Sequence, residues 1–230
     1  MRFPFQSEAP PMPDPSAEKL TIDIISDVVC PWCYIGKRQL EAALGELAAR
    51  EPAVRPVVSW HPFQLNPDLP REGIDRGAYV EAKFGKPERA REVYERVREA
   101  GARAGIAFAF GAIARQPNTR DAHRLISWAQ TQGDADPLVE RLFRAYFLDG
   151  RFVGDREVLA AIAGDAGLDA AAARSYLASA QGDDAIVAMD RRVRELGVGG
   201  VPFFILAGRV AVSGAQGAQA LLDAIAEARS

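Results

Sequence analysis

The sequence predicts an α/β protein: a strand–helix–strand unit at the front, a long helical block, then a hairpin and a closing helix. Three observations predict it. Runs of β-favouring residues occur near the two ends of the chain, and the stretch from about residue 75 to 196 is helically patterned almost throughout. The only two cysteines, Cys30 and Cys33, sit where the first strand gives way to the first helix. At 230 residues the chain has room for one large domain or two small ones, with an apolar content that suits a packed core.

The elements follow in order. Leu20 to Ser26 is a buried strand built on Ile22, Ile24 and Ile25. Residues 31–50 form a helix opened by Pro31 and ending before Pro52, with Ile35, Leu40, Ala43, Leu44 and Leu47 as its apolar stripe. Val54 to Trp60 is a second strand, and the strand–helix–strand order implies a right-handed parallel unit. Lys86 to Ala104 then carries Ala90, Val93, Tyr94, Val97 and Ala100 on one helical face. Asn118 caps a helix running to Gln132, and Asp136-Pro137 opens one bearing Val139, Leu142, Phe143, Tyr146 and Phe147. Asp155 to Ala166 and Asp169 to Ala180 each start on an acidic cap, and Asp183 to Leu196 leads back to the sheet. Phe203 to Ala207 and Val210 to Ser213 form a hairpin about Gly208-Arg209, and Ala218 to Ala228 closes the chain.

Composition excludes several function classes. The net charge of −3 leaves no basic footprint for nucleic acid. No stretch approaches the apolar length of a membrane span, and the first 19 residues, with Pro4, Pro10, Pro11, Pro13 and Pro15, contain no signal-peptide core. That tail reads as disordered and the compartment as cytoplasmic, where a cysteine pair is more often catalytic than structural.

Cys30-Pro31-Trp32-Cys33 carries the chemistry. Residues three apart at a helix start present both sulfurs on one face, and the first lies where unpaired N–H groups and the helix dipole favour an anion. The thiolate is the reactive form of cysteine, so this position favours a nucleophile. A structural disulfide across so short a loop would remove chain entropy worth only about 2 kcal/mol, against nearly 5 for a loop of about 100 residues. A zinc site needs further ligands, and His61 and His123 lack ligand spacing, so no metal is expected. The pair reads as a redox dithiol.

Longer strings carry a resemblance. Ser26-Asp27-Val28-Val29-Cys30-Pro31-Trp32-Cys33-Tyr34-Ile35-Gly36 resembles the FrnE-like branch of the DsbA family in the thioredoxin superfamily. Phe63-Gln64-Leu65-Asn66-Pro67, Asn118-Thr119 with Ala122-His123-Arg124-Leu125, and Gly197-Val198-Gly199-Gly200-Val201-Pro202-Phe203-Phe204 are similar to the same branch. The resemblance runs from about residue 20 to the C-terminus. It implies a thioredoxin fold with a large helical insertion: a tail over 1–19, a thioredoxin-like domain from 20–62 and 183–230, and an insertion domain over 63–182. It implies Cys30 as the exposed attacking thiol and Cys33 as the shielded resolving one. Pro202 would be the cis-proline facing the sulfurs, and Val201 would pair its backbone with an extended substrate. Trp32 is assigned to substrate contact beside Cys30, with packing against the insertion as its alternative.

Two acids and two histidines are left over. The family pattern places a buried acid on the first strand beneath the cysteines; Asp23 is the candidate, one residue out of the expected spacing, and Asp27 is closer in sequence. His61 and His123 read as hydrogen-bonded structural residues, and Phe108, Phe110, Phe143, Tyr146 and Phe147 as core. The implied activity is thiol–disulfide oxidoreduction or isomerisation on protein thiols and disulfides. It requires no cofactor beyond the cysteine pair, and glutathione stays open as an electron partner. The alternative is a glutathione-dependent isomerase or transferase of the 2-hydroxychromene-2-carboxylate isomerase or kappa-class type, in which Cys33 would have no role.

Overall fold

The computed structural model describes residues 18–230. The Pro-rich tail therefore lies outside the described residues except for Glu18 and Lys19, which already belong to the first strand, β1 (Glu18–Ser26). The strand starts at Glu18, whose N–H donates to Ala53 O at 3.2 Å and whose carboxylate accepts from the Arg229 guanidinium at 2.7 and 2.8 Å. In chain order there follow α1 (Pro31–Arg50), β2 (Val54–Pro62), β3 (Ile74–Asp75), α2 (Arg76–Phe84), α3 (Pro87–Arg103), β4 (Arg115–Gln116) and α4 (Arg120–Gln130). The remaining elements are α5 (Asp136–Phe147), α6 (Arg156–Asp165), α7 (Ala170–Ala178), α8 (Asp183–Glu195), β5 (Phe203–Leu206), β6 (Val210–Ser213) and α9 (Ala218–Arg229).

Local chemistry sets these boundaries. Pro31, Pro87 and Pro137 sit in the first turns of α1, α3 and α5, where a missing N–H costs nothing. Asp75, Asp155 and Asp169 cap α2, α6 and α7 by accepting from backbone N–H groups one turn in. Asn118 acts one residue earlier than the sequence suggests: Thr119 is the cap residue, and the Asn118 side chain accepts from Arg120 N–H at 2.9 Å. The short β3–β4 ladder has no counterpart in the sequence pattern, because two residues per strand leave no periodicity to read.

The main sheet has the order β2-β1-β5-β6. β1 and β2 are parallel, from Glu18 opposite Val54 to Ser26 opposite Pro62, with α1 as the crossover. β5 runs antiparallel to β1 and turns into β6 through Ala207 and Gly208, both at positive φ (48° and 67°), the backbone a tight hairpin turn requires. On the open edge of β2 the Gln130 side-chain amide stands in for a strand. It accepts from Trp60 N–H at 2.7 Å and donates to Trp60 O at 3.1 Å.

One hydrophobic cluster runs from the sheet through α1 into the helical block, joining Ile22, Ile24, Leu40 and Ile225 to Leu125, Phe143 and Leu159. Tyr34 is the bridge. Its ring stacks on Phe143 at 5.0 Å and meets Phe108 edge-on at 6.2 Å, while its hydroxyl donates to Glu140 at 2.9 Å. Beside it, fully buried Lys37 projects from α1 toward Glu41, Asp136 and Glu140, so charge as well as packing ties α1 to α5. Phe108, Phe110, Phe143, Tyr146 and Phe147 are all buried, as core rather than groove. A smaller cluster of Ile25, Phe63, Val193 and Val198 covers the opposite face of the sheet under α8.

Candidate active site

The period-two alternation of β1 places Ile22, Ile24 and Ser26 on the face that α1 covers. A turn closed by Cys30 N–H to Asp27 O at 3.0 Å then delivers Cys30 to the N-cap of α1. The N–H groups of Cys33 and Tyr34 return to Cys30 O. Cys30 thus stands at the positive end of a 20-residue helix, the place such a helix favours an anion. Both cysteines are free thiols.

Cys30 is less exposed than expected. It is 5 % accessible and Cys33 2 %, so the order is the expected one but Cys30 is itself buried. The cause is the loop before β5. The Val201–Pro202 bond is cis, and Val201 O accepts from Cys30 Sγ at 3.6 Å across 171 residues of sequence. Pro202 is buried against α1 at Gly36: a Cβ there would lie 2.9 Å from Pro202 Cγ and 3.0 Å from Phe204 Cζ. Only glycine lets the loop come so close. Trp32 is 39 % exposed and borders an open groove of about 450 Å³ whose floor is Ala42, Ala100, Ala104 and Ala218, with Arg38 and Arg103 at its sides.

Cys33 lies beneath Cys30. Burial pushes its thiol well above the ordinary range, and the neighbouring Cys30 sulfur adds to this; hydrogen bonds from the Ser26 hydroxyl and the Asp27 backbone oppose it. The sequence reading gives Ser26 no role, although the alternation of Ile22 and Ile24 puts it on the cysteine side.

Asp23 does not occupy the position expected of it. It lies on the opposite face of the sheet from Ile22 and Ile24, where its carboxylate meets His61 Nε2 at 2.7 Å, and Ile24 takes the place under α1. The buried acid is Asp27, with no exposure. Its Oδ2 accepts from Leu65 N–H at 2.8 Å, and its Oδ1 faces His123 Nε2 at 3.3 Å.

The remaining strings brace this corner. Asp190 and Arg194 of α8 hold both backbone groups of Gln64, at 2.7 and 2.6 Å, and Arg194 lies over the Phe63 ring. Asn118 donates to Leu69 O at 2.8 Å. Buried Arg124 donates to the carbonyls of Tyr176, Leu177, Ser179 and Gln181 at the end of α7. Among the described residues no helix is long and apolar enough to cross a membrane, and no group of three or more acidic, His or Cys side chains is placed to hold a metal.

Comparison with known proteins agrees with this fold. A family model described as a DSBA-like thioredoxin domain matches residues 21–226. The crystal structure of a probable DsbA oxidoreductase, SCO1869 from Streptomyces coelicolor, is 33 % identical and superimposes with a TM-score of 0.81, covering 91 % of this chain and 90 % of that one. A 2-hydroxychromene-2-carboxylate isomerase (17 % identity, TM-score 0.66, 90 % and 95 % covered) shares the fold. So does the cytosolic disulfide reductase DsbM from Pseudomonas aeruginosa (18 %, 0.59, 91 % and 95 %).

Proposed function

The chain belongs to the DSBA-like thioredoxin domain family, and from that premise we propose that it exchanges disulfides with protein substrates through Cys30 and Cys33, within the FrnE-like branch. One observation carries the reading. Cys30 stands at the helix N-cap under the Val201 carbonyl, and a second thiol lies directly behind it, held protonated by burial.

In this mechanism the Cys30 thiolate attacks one sulfur of a substrate disulfide, and the other leaves as a thiolate. Cys33 then loses its proton and attacks Cys30 Sγ, releasing the second substrate thiolate and leaving a Cys30–Cys33 disulfide. Run backwards, the same two steps oxidise a substrate dithiol. The division of labour follows from position. An attacking thiol needs thiolate character and access from the substrate side, whereas a resolving thiol serves best if nothing but Cys30 can reach it.

Protein segments fit the surroundings better than small molecules. The Val201 N–H makes no hydrogen bond among the described residues, which suits pairing with an extended chain. The groove beside exposed Trp32 is open and lined largely by alanine. DsbM was solved with glutathione, and we take glutathione as the small thiol that returns electrons to the pair. No further cofactor enters the scheme. A chain whose only cysteines form the reactive pair suits the reducing cytoplasm, the compartment we assign. The glutathione-dependent isomerase reading has the same fold behind it but gives Cys33 nothing to do.

The test uses a scrambled disulfide protein. Cys33→Ser should accumulate mixed disulfides through Cys30, and Cys30→Ser should abolish turnover. In the reduced protein, alkylation should modify Cys30 well before Cys33. Full activity in Cys30→Ser, or turnover confined to a chromene carboxylate with glutathione, would reject the mechanism.

A further inference from the structure

Both histidines of the chain border one cavity, and each is backed by an aspartate. The cavity, about 250 Å³, lies at the β2 edge between α4 and α8, and its walls include Ser26, Trp60, His61, His123, Val139 and Met189. At its inner end His123 is 4 % exposed and faces Asp27, which is wholly buried. At its outer end the half-buried His61 is paired with Asp23. Ser26, on the same wall, stands on the α1-facing side of β1, where its hydroxyl favours the thiolate form of Cys33.

The polar atoms here are not used up. His123 Nε2, Asp27 Oδ1 and Trp60 Nε1 are buried without a hydrogen-bond partner among the described residues. Buried polar atoms are rarely left so, and although most of the wall is apolar, a space of this size has room beside these atoms for several waters at roughly 30 Å³ each. The other charged groups nearby are already engaged. Tyr146 of α5 donates to Gln116 at 2.9 Å and lies 3.4 Å from the Arg76 guanidinium, while Asp190 and Arg194 of α8 hold each other and Gln64.

We propose that this cavity is the proton exit of the resolving cysteine, running from Cys33 through Ser26 and cavity water to His123 and out past His61. The proposal rests on the role of Cys33 given above and adds the route its proton takes. When Cys33 attacks, its Sγ–H proton passes to Ser26 Oγ as the Ser26 proton passes through water to the His123 imidazole. The Asp27 carboxylate steadies the imidazolium. Cys33 Sγ bonds to Cys30 Sγ, the Cys30–substrate bond breaks, and the substrate leaves as a thiolate with the electron pair. The two cysteines lose two electrons and the substrate disulfide gains them. The imidazolium then gives its proton to solvent past His61, and the reverse reaction brings a proton in by the same path. Here His123 is a positioning and proton-holding residue that acts through Ser26.

A symmetrical aromatic disulfide such as Ellman's reagent separates the steps, because reduced protein releases one coloured thiolate when Cys30 attacks and a second when Cys33 resolves. His123→Gln should slow the second release about tenfold or more at neutral pH and leave the first unchanged. In His123→Ala, added imidazole should restore the second release, since the cavity opens to solvent beside Met189. Met189→Trp, which narrows that mouth and alters no titrating group, should slow the second release alone. An unchanged second release in His123→Gln, or an equal slowing of both phases with no response to imidazole, overturns the proposal. If wild-type protein gives no first release, the Cys30 reading beneath it falls as well.

Discussion

Two glycines in one helix set packing against propensity. Gly36 and Gly45 both lie in α1. A Cβ at Gly45 would meet nothing within 4 Å, so Gly45→Ala should simply gain the helix propensity of alanine, about 0.8–1.0 kcal/mol. Gly36→Ala gains the same but sets its Cβ 2.9 Å from Pro202 and 3.0 Å from Phe204. Ordinary carbon contacts are about 3.5–4.0 Å, so the loop or the helix must yield by roughly 0.5–1 Å. Neither neighbour is the loose end of a flexible chain: Pro202 is a backbone ring and Phe204 is 1 % exposed. Overpacking of this kind costs about 1–3 kcal/mol. Because the propensity gain is common to both, the difference between the two variants measures the clash alone. Urea unfolding should put Gly36→Ala about 1–3 kcal/mol below Gly45→Ala. The displaced loop also carries Val201 O away from Cys30 Sγ, so alkylation of Cys30 should quicken in Gly36→Ala and stay unchanged in Gly45→Ala. Equal stability of the two variants, with equal Cys30 reactivity, would refute the view that this glycine sets the roof over the nucleophile.

Two further outcomes concern the helical block. Arg124→Leu removes the donor to four carbonyls and one of the three arginine partners of Asp121, which keeps Arg71 and Arg156; a loss of about 3–5 kcal/mol is expected in chemical unfolding. Burial pushes the Asp121 carboxyl upward, but hydrogen bonds from Arg156 and Arg124 outweigh it and hold the group below the ordinary range. Its contribution is therefore full above the unfolded value of about 3.9 and is lost as pH falls through the lower folded value. Asp121→Asn should lower Tm at neutral pH and flatten the fall of Tm below about pH 4, both read by thermal melts across pH.

Much of the fold was legible because it is written in short-range patterns. Pro31 opening α1, Asp155 and Asp169 capping α6 and α7, and the apolar run of β1 each act within a few residues, so the sequence displays cause and effect side by side. Where the pattern is too short, as in the two-residue strands β3 and β4, nothing could be read. The Asn118 cap came out one residue off because Asn can serve its helix from just before the cap position as well as from the cap itself.

The candidate site divides along the same line. Cys30-Pro31-Trp32-Cys33 determined by itself that two thiols stand one helical turn apart at a helix start, since helix geometry allows nothing else. The burial of Cys30 and the lining of its roof by Val201 depended on a contact across 171 residues, and the choice between Asp23 and Asp27 on which face of β1 the helix covers. Asp23 lost the place under α1 because strand alternation turned it to the far face, where His61 met it. Asp27 gained its place because the turn that delivers Cys30 also folds it inward against Leu65 and His123. Local spacing can say which residues share a face. Which face becomes the inside is decided by what the rest of the chain lays over it.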